Sequence, residues 1–331
     1  MMKYRLEIYN IWELGRREKQ EDSLYPEFGK AKNTDRLFIL CDGMGGHSAG
    51  EVASSVVCQA ISQSIFQYCP DAEGAFSEID FKTALDDAYD ALDSIDDGSP
   101  KKMGTTLAFL KFHSNGIIIA HIGDSRVYHI RPGKDTNDTN ILFQTRDHSL
   151  VNDLIKIGEL TPEEAKYSRQ KNVITRAMQP NMDHHPKADL YHTQDIQPGD
   201  YFMLCSDGIL EQMEDNHLQF IFSDKGGSAK NKVDMLRKVT ANNRDNHSAI
   251  LVHVLGIHTM NEKDEVEEKE YMLSSSTFED NIEKENKEVI FSTARINTNH
   301  YPLRWGIMFL IIIFLVVCGY ICLRIFEPTL G

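Results

Sequence analysis

The stretch LFILCDGMGGH, residues 37–47, decides how this chain is read. It opens with an apolar run of strand length, too short for an ordinary helix, and Asp42-Gly43 closes that run. A strand ending in Asp-Gly projects a carboxylate from a rigid edge, and the glycine lets the backbone turn sharply with its carbonyl exposed. The same arrangement returns further along. GIIIAHIGDS (116–125) leads to Asp124, YFMLCSDG (201–208) leads to Asp207, and RDNHSAILV (244–252) sets Asp245 just ahead of another apolar run.

An isolated Asp-Gly is more often a hairpin turn than a ligand pair. Four carboxylates in equivalent strand-end positions argue instead for one convergent site. Ligands that are all oxygen suit a hard cation, Mg²⁺ or Mn²⁺, better than zinc. The six cysteines do not compete: they form no CxxC pair, and Cys41 and Cys205 each close an apolar strand, which makes them core residues.

Around these ends lie further strand signals, TTLAFLKF (105–112), RVYHIR (126–131) and AILVHVLG (249–256). Two segments carry apolar residues at helical spacing. The first is 50–68, with Val52, Val56, Ala60 and Ile65 or Phe66, and the second is 81–95, with Leu85, Ala88, Tyr89 and Leu92. Strands outnumber helices, so the domain reads as α+β, antiparallel sheets with helices packed on their outer faces. The run Thr161-Pro162-Glu163-Glu164 is a helix start, with Thr161 as N-cap and Glu164 closing a capping box.

At 331 residues, 41% hydrophobic and 26% charged, the chain can bury a full core and is not disordered throughout. Its net charge of −15 lacks the basic footprint of a nucleic-acid binder, so no nucleic-acid partner is expected. Residues 1–256 read as one domain. Residues 257–302 read as a flexible acidic linker, since 257–304 holds 11 acidic and 6 basic residues with no sustained period. From Trp305 to Leu323 come 19 residues without a charge. As a helix they would cover about 28 Å, close to the hydrocarbon thickness of a bilayer. A transmembrane helix is therefore expected over 303–324, with a short tail at 325–331. No secretory signal pattern opens the sequence, and the scattered cysteines suit a reducing compartment. The expectation is a single-pass protein of the cell membrane with residues 1–256 in the cytoplasm.

Taken in order, REKQED (17–22), DGMGGH (42–47), MGTT (103–106), GDSR (123–126), DHS (147–149), ITRAM (174–178), SDG (206–208) and DN (245–246) resemble the metal-dependent serine/threonine protein phosphatases of type 2C, in their bacterial form. The resemblance spans about residues 5–256. It implies a sandwich of two antiparallel sheets flanked by helices, with two Mn²⁺ or Mg²⁺ ions at one end. By that resemblance Asp42 bridges both ions, the Gly43 carbonyl serves one, Asp207 and Asp245 complete its shell, and Glu21 and Asp22 serve the other. Asp124, with Asp207, would hold a weaker third ion, and Arg17 would bind the substrate phosphate. The implied reaction is hydrolysis of phosphoserine and phosphothreonine in proteins by in-line attack of a metal-bridging hydroxide, reversing the work of a cognate serine/threonine kinase. Residues 151–178 correspond to the flap beside the active site.

The sequence departs from the family pattern at Gln20, where bacterial members often have Asn, and at Ser248, where Thr is usual. Met44 stands where animal members carry a His proposed as general acid, and His47 reads as a loop residue. The competing interpretation is a catalytically silent module that keeps the fold to recognise a phosphoprotein. Loss of a metal carboxylate would mark it, and none is lost.

Overall fold

The computed structural model describes residues 1–45, 49–96, 98, 102–213 and 215–259. Eleven strands make two antiparallel sheets. In chain order the strands are β1 (Met2–Glu13), β2 (Asp22–Tyr25), β3 (Leu37–Met44), β4 (Gly104–Thr105), β5 (Leu107–His113), β6 (Gly116–Ile122), β7 (Arg126–Arg131), β8 (Asn140–Gln144), β9 (Asp189–Thr193), β10 (Tyr201–Cys205) and β11 (His247–Thr259). One sheet runs β1-β11-β10-β7-β8 and the other β2-β3-β5-β6-β9, with β4 attached to β3.

Helices cover both outer faces. On one side α1 (Ala49–Tyr68) and α2 (Glu78–Ser94) pack on the β3-β5-β6 sheet through Val57, Ile61, Phe81 and Tyr89. On the other, α6 (Asp215–Phe222) and α7 (Ala229–Thr240) pack on the β10-β11 sheet through Phe222, Val233 and Leu236. Three short helices complete the set, α3 (Leu150–Lys156), α4 (Pro162–Lys166) and α5 (Asp207–Leu210). Between the sheets lies a third apolar layer that includes Phe38, Leu40, Phe112, Phe202, Leu204 and Val252.

Both faces of each central strand are thus buried. In β3, Phe38 and Leu40 enter the inter-sheet layer while Ile39 and Cys41 face α1 and α2, following the period of two. An antiparallel strand covered on both sides reads as an unbroken apolar run, which is why these strands stand out in the sequence. The edge strand β1 alternates instead and is invisible as a run, yet it pairs with β11 from Met2↔Thr259 to Glu13↔His247.

Two sequence expectations shift. The buried face of α1 holds Ala53, Val57, Ile61 and Ile65, one residue on from the expected stripe, and Val52 and Phe66 are exposed. Small residues win there because the first turn lies close against the β2–β3 end, where the Ser54 hydroxyl donates to the Glu21 carbonyl at 2.6 Å. Helix α2 begins three residues before the expected Phe81, capped by Ser77 and Asp80 in a reciprocal box. The box expected at Thr161 and Glu164 is formed on α4.

Strand β11 runs to Thr259, three residues past the expected domain end at 256. The rest of the expected linker to 302, the expected transmembrane helix over 303–324 and the tail lie outside the described residues, as does His47. Among the described residues no helix is long and apolar enough to cross a membrane.

Candidate metal centre

The end of the sandwich near Asp42 is where the apolar pattern gives way to carboxylates. Asp42 continues the face of Phe38 and Leu40, so the strand that builds the inter-sheet core aims this carboxylate into the same gap. Its register partner across β2 and β3 is Asp22. Asp22 is buried, with the Ser206 hydroxyl donating to its Oδ2 at 3.0 Å. Asp207, the first residue of α5, reaches Asp42 from the opposite sheet. Asp124 follows the Gly123 turn at the end of β6, and its buried Oδ1 has no hydrogen-bond partner.

So much like charge in one place is costly. Burial pushes the Asp22 carboxyl up to about 7, with the Asp207 and Asp245 charges adding to the effect. Burial, then the Asp207 and Asp147 charges, lifts Asp124 to about 7. Burial and the Asp245 charge lift Asp207 to about 6. Asp42 is raised well above the usual carboxylate range, by burial and by the carboxylates of Asp22, Asp207, Asp124 and Asp245. Glu21 is raised by burial as well. A divalent cation reverses this penalty, since each carboxylate then faces the opposite charge.

Gly43 fits the same purpose. A Cβ there would lie 2.2 Å from the Gly50 carbonyl oxygen and 2.6 Å from that of Glu21, so only glycine allows these backbones to meet. The Glu21 carboxylate lies beside Gly50, whose own Cβ would be 2.7 Å from Glu21 Oε1. The orphaned Asp124 oxygen, the crowded carboxylates and the glycine contact all fit a centre for hard divalent cations.

The loop carrying Arg17 and Glu21 is tied to the far end of the domain by Asn246. Its side-chain amide donates to the Leu14 and Lys19 carbonyls at 2.9 Å each and accepts from the Glu21 amide at 2.9 Å. Arg17 donates to Asp245 Oδ2 at 2.6 Å, both side chains remaining partly exposed. A cleft of about 630 Å³ opens here, lined by Arg17, Asp124, Asp207 and Asp245 on one wall and by Ile155, Ala165 and Lys171 of the segment expected as a flap on the other.

Several residues of this end were not singled out as site residues. Ser206 and Asn246 stand inside the SDG and DN motifs, and the Arg126–Asp147 pair, two-pronged at 2.6 and 2.8 Å, joins GDSR to DHS. The motifs themselves were the available signal. Cys41 and Cys205 are fully buried core residues, and burial pushes both thiols up, Cys205 to about 12, so neither offers a thiolate.

His121, His148 and Asp189 also approach one another closely enough to suggest a second cation site. Their hydrogen bonds argue otherwise. His148 Nδ1 accepts from the Gly123 amide at 3.0 Å, which places its proton on Nε2, 3.2 Å from Asp189 Oδ2. Arg176 donates to the other oxygen of Asp189 at 2.9 Å. No lone pair of His148 is left for a metal, and a guanidinium already neutralises Asp189.

The protein phosphatase 2C family model matches residues 15–256. The protein phosphatase PhpP of Streptococcus pneumoniae is 32% identical over 261 residues, covering 78% of this chain and 99% of PhpP. The serine/threonine protein phosphatase PstP of Mycobacterium tuberculosis is 33% identical over 201 residues, 60% of this chain and 35% of PstP. A crystal structure of the PstP catalytic domain with two manganese ions superposes with a TM-score of 0.59 at 28% identity, covering 76% of this chain and 99% of that one. The chain belongs to the protein phosphatase 2C family.

Proposed function

We propose that this chain removes phosphate from phosphoserine and phosphothreonine in proteins, with two Mn²⁺ or Mg²⁺ ions held by Asp42, the Gly43 carbonyl, Asp207, Asp245, Glu21 and Asp22. The observation that carries the reading is the pairing of Asp22 with Asp42 beside Asp207, a buried set of carboxylates whose mutual repulsion in the ionised form a divalent cation relieves. Bound there, divalent cations acidify water and offset charge on phosphoryl oxygens. Asp124, with its unpartnered oxygen, serves a weaker third ion beside Asp207.

The protein's own groups do the positioning. Arg17 sits at the cleft mouth, and its planar guanidinium can exchange the Asp245 carboxylate for two oxygens of an incoming phosphate. Asn246 fixes the loop that carries Arg17, so the arginine arrives with little freedom left to lose. The flap wall of the cleft is open and mixed in character, suited to a protein chain rather than to a small enclosed substrate.

The silent-module alternative is not favoured, because every expected carboxylate is present at this end of the sandwich. Phosphate release from a phosphothreonine peptide by the full chain, measured with Mn²⁺ and with chelator, tests the proposal. Absence of Mn²⁺-dependent release would end it.

We further propose that residues 303–324 anchor the enzyme in the cell membrane with the catalytic domain in the cytoplasm, where it reverses the action of a serine/threonine kinase. The uncharged run from Trp305 to Leu323 supports the anchor. Deleting 303–331 should release an active enzyme into the soluble fraction. A truncated protein that still sediments with membranes would refute the anchor.

A further inference from the structure

The His121–His148–Asp189 cluster does not suit a cation, but its hydrogen bonds reach the turn that carries Asp124. His148 is 8% exposed and grips Gly123 from both sides. Its ring Nδ1 accepts from the Gly123 amide at 3.0 Å, and its own amide donates to the Gly123 carbonyl at 2.9 Å. Gly123 has φ +101°, a conformation L side chains rarely adopt, and a Cβ there would lie 2.6 Å from Thr106 Cγ2. The next residue is Asp124, whose buried Oδ1 has no partner. The turn that presents this carboxylate is therefore held from outside itself by one residue, through the His148 ring on the Gly123 amide and the His148 main-chain amide on the Gly123 carbonyl.

The imidazole is oriented in turn. His121 stacks on it, ring centroids 4.5 Å apart, with its own Nε2 2.9 Å from the Arg146 carbonyl. Nε2 of His148 lies 3.2 Å from Asp189 Oδ2 at the start of β9 and 3.1 Å from Nη1 of Arg176, and the same Nη1 holds Asp189 at 2.9 Å from the ITRAM segment, where the flap returns to the sheet. The amide of Thr175 donates to the His148 carbonyl at 2.8 Å.

We propose that His148, with Asp189 and Arg176 behind it, is a positioning residue that holds the Gly123–Asp124 turn so that the Asp124 carboxylate stays aimed into the metal centre. It transmits to Asp124 the state of the ITRAM segment, where the flap returns to the sheet. The proposal rests on the function proposed above for its metal arm, while its exchange arm stands without it.

The test separates the two ring nitrogens. The amide oxygen of Asn stands close to where Nδ1 stands in His, so His148→Asn keeps the acceptor for Gly123 and loses Asp189. His148→Gln reaches toward Asp189 and leaves the Gly123 amide without its acceptor. Two quantities are read in the full chain: hydrogen exchange of the Gly123 amide in metal-free protein, and the Mn²⁺ concentration giving half-maximal phosphate release.

Losing one buried hydrogen bond should speed exchange and raise the Mn²⁺ requirement about ten-fold in His148→Gln. His148→Asn, which loses Asp189 and Arg176 together, and Asp189→Ala should each move both by roughly three-fold, and the double variant should move them little further, because each already breaks the His148–Asp189 contact. Equal effects of Asn and Gln, or a Gln variant with wild-type exchange and Mn²⁺ requirement, would overturn the proposal. Should the His148 variants not fold, Asp189→Ala decides, since that side chain is 57% exposed; wild-type values in both measurements would again overturn it. If the wild-type chain shows no Mn²⁺-dependent release, the functional reading fails alone and the exchange measurement still judges the positioning role.

Discussion

Replacing Asp207 by Asn should make the metal-free protein more stable while abolishing its activity. Burial and the Asp245 charge raise this carboxyl from 3.8 to about 6. A raised carboxyl contributes its stability below the unfolded value and loses it as pH climbs through the folded one, so at pH 8 the metal-free fold carries the whole cost of ionising Asp207. Two units correspond to about 3 kcal/mol. A neutral amide of the same shape should recover a third or more of that, about 1 to 3 kcal/mol. For a domain of this size that is a rise of roughly 3 to 8 °C in Tm. Thermal unfolding at pH 8 in chelator measures it, and the gain should disappear below about pH 4, where Asp207 is protonated in the folded chain and largely so in the unfolded one. Adding Mn²⁺ at a hundredfold excess over its Kd should stabilise the wild type by about 2.7 kcal/mol and the variant by much less. An Asp207→Asn protein that melts below wild type in chelator at pH 8, or that keeps Mn²⁺-dependent phosphatase activity, would refute the view that these carboxylates are held together for a cation.

Arg17→Ala should raise KM for a phosphopeptide about ten-fold with a smaller loss in kcat, since the guanidinium binds the phosphate before and during reaction; steady-state kinetics showing a pure kcat defect would contradict this. Gly43→Ala must push a Cβ into the Gly50 and Glu21 carbonyls, so chemical denaturation should show a loss of about 3 kcal/mol or more. Far from the metal centre, burial holds His113 down to about 4, and its side chain is 4% exposed. A histidine whose folded value is depressed stabilises above its unfolded value near 6.5 and loses that stability as pH falls toward 4. Urea unfolding at pH 7 and pH 5 should therefore differ by about 2 kcal/mol more in wild type than in His113→Gln.

The central sheet strands were legible because helices cover both outer faces, which turns β3, β5, β6 and β10 into largely apolar runs, three of them, β3, β6 and β10, leading straight into an Asp-bearing turn. Strand β1 was not, because an edge strand with one wet face alternates Tyr4, Leu6 and Ile8 with charged residues and looks like many exposed segments. The face of α1 was misread by one position, since periodicity counts large apolar residues and the packed turn uses Ala53 and Ser54. At the metal centre the carboxylates were readable as strand ends. Their supports showed only as members of the SDG, DN and DHS motifs, without their roles: Ser206, Asn246 and His148 act through hydrogen bonds that bridge distant parts of the chain, from Asn246 to Glu21 and from His148 to Gly123, and such spans leave no local period.

The pairing of β1 with β11 has a consequence for the order in which the protein becomes competent. Ribosomes emit Arg17, Glu21 and Asp22 first and Asp245 with its neighbour Asn246 almost last among the folded residues. Until β11 emerges, the loop after β1 has neither its neighbouring strand nor the Asn246 amide that ties it down. A nascent chain stalled before Asp245 therefore holds Asp42 and Asp207 but not the full set of ligands proposed above, and premature termination in the last tenth of the domain should yield an inert product rather than a partly active one. Catalytic competence arrives in a single late step of synthesis, when the final strand closes the sheet against the first.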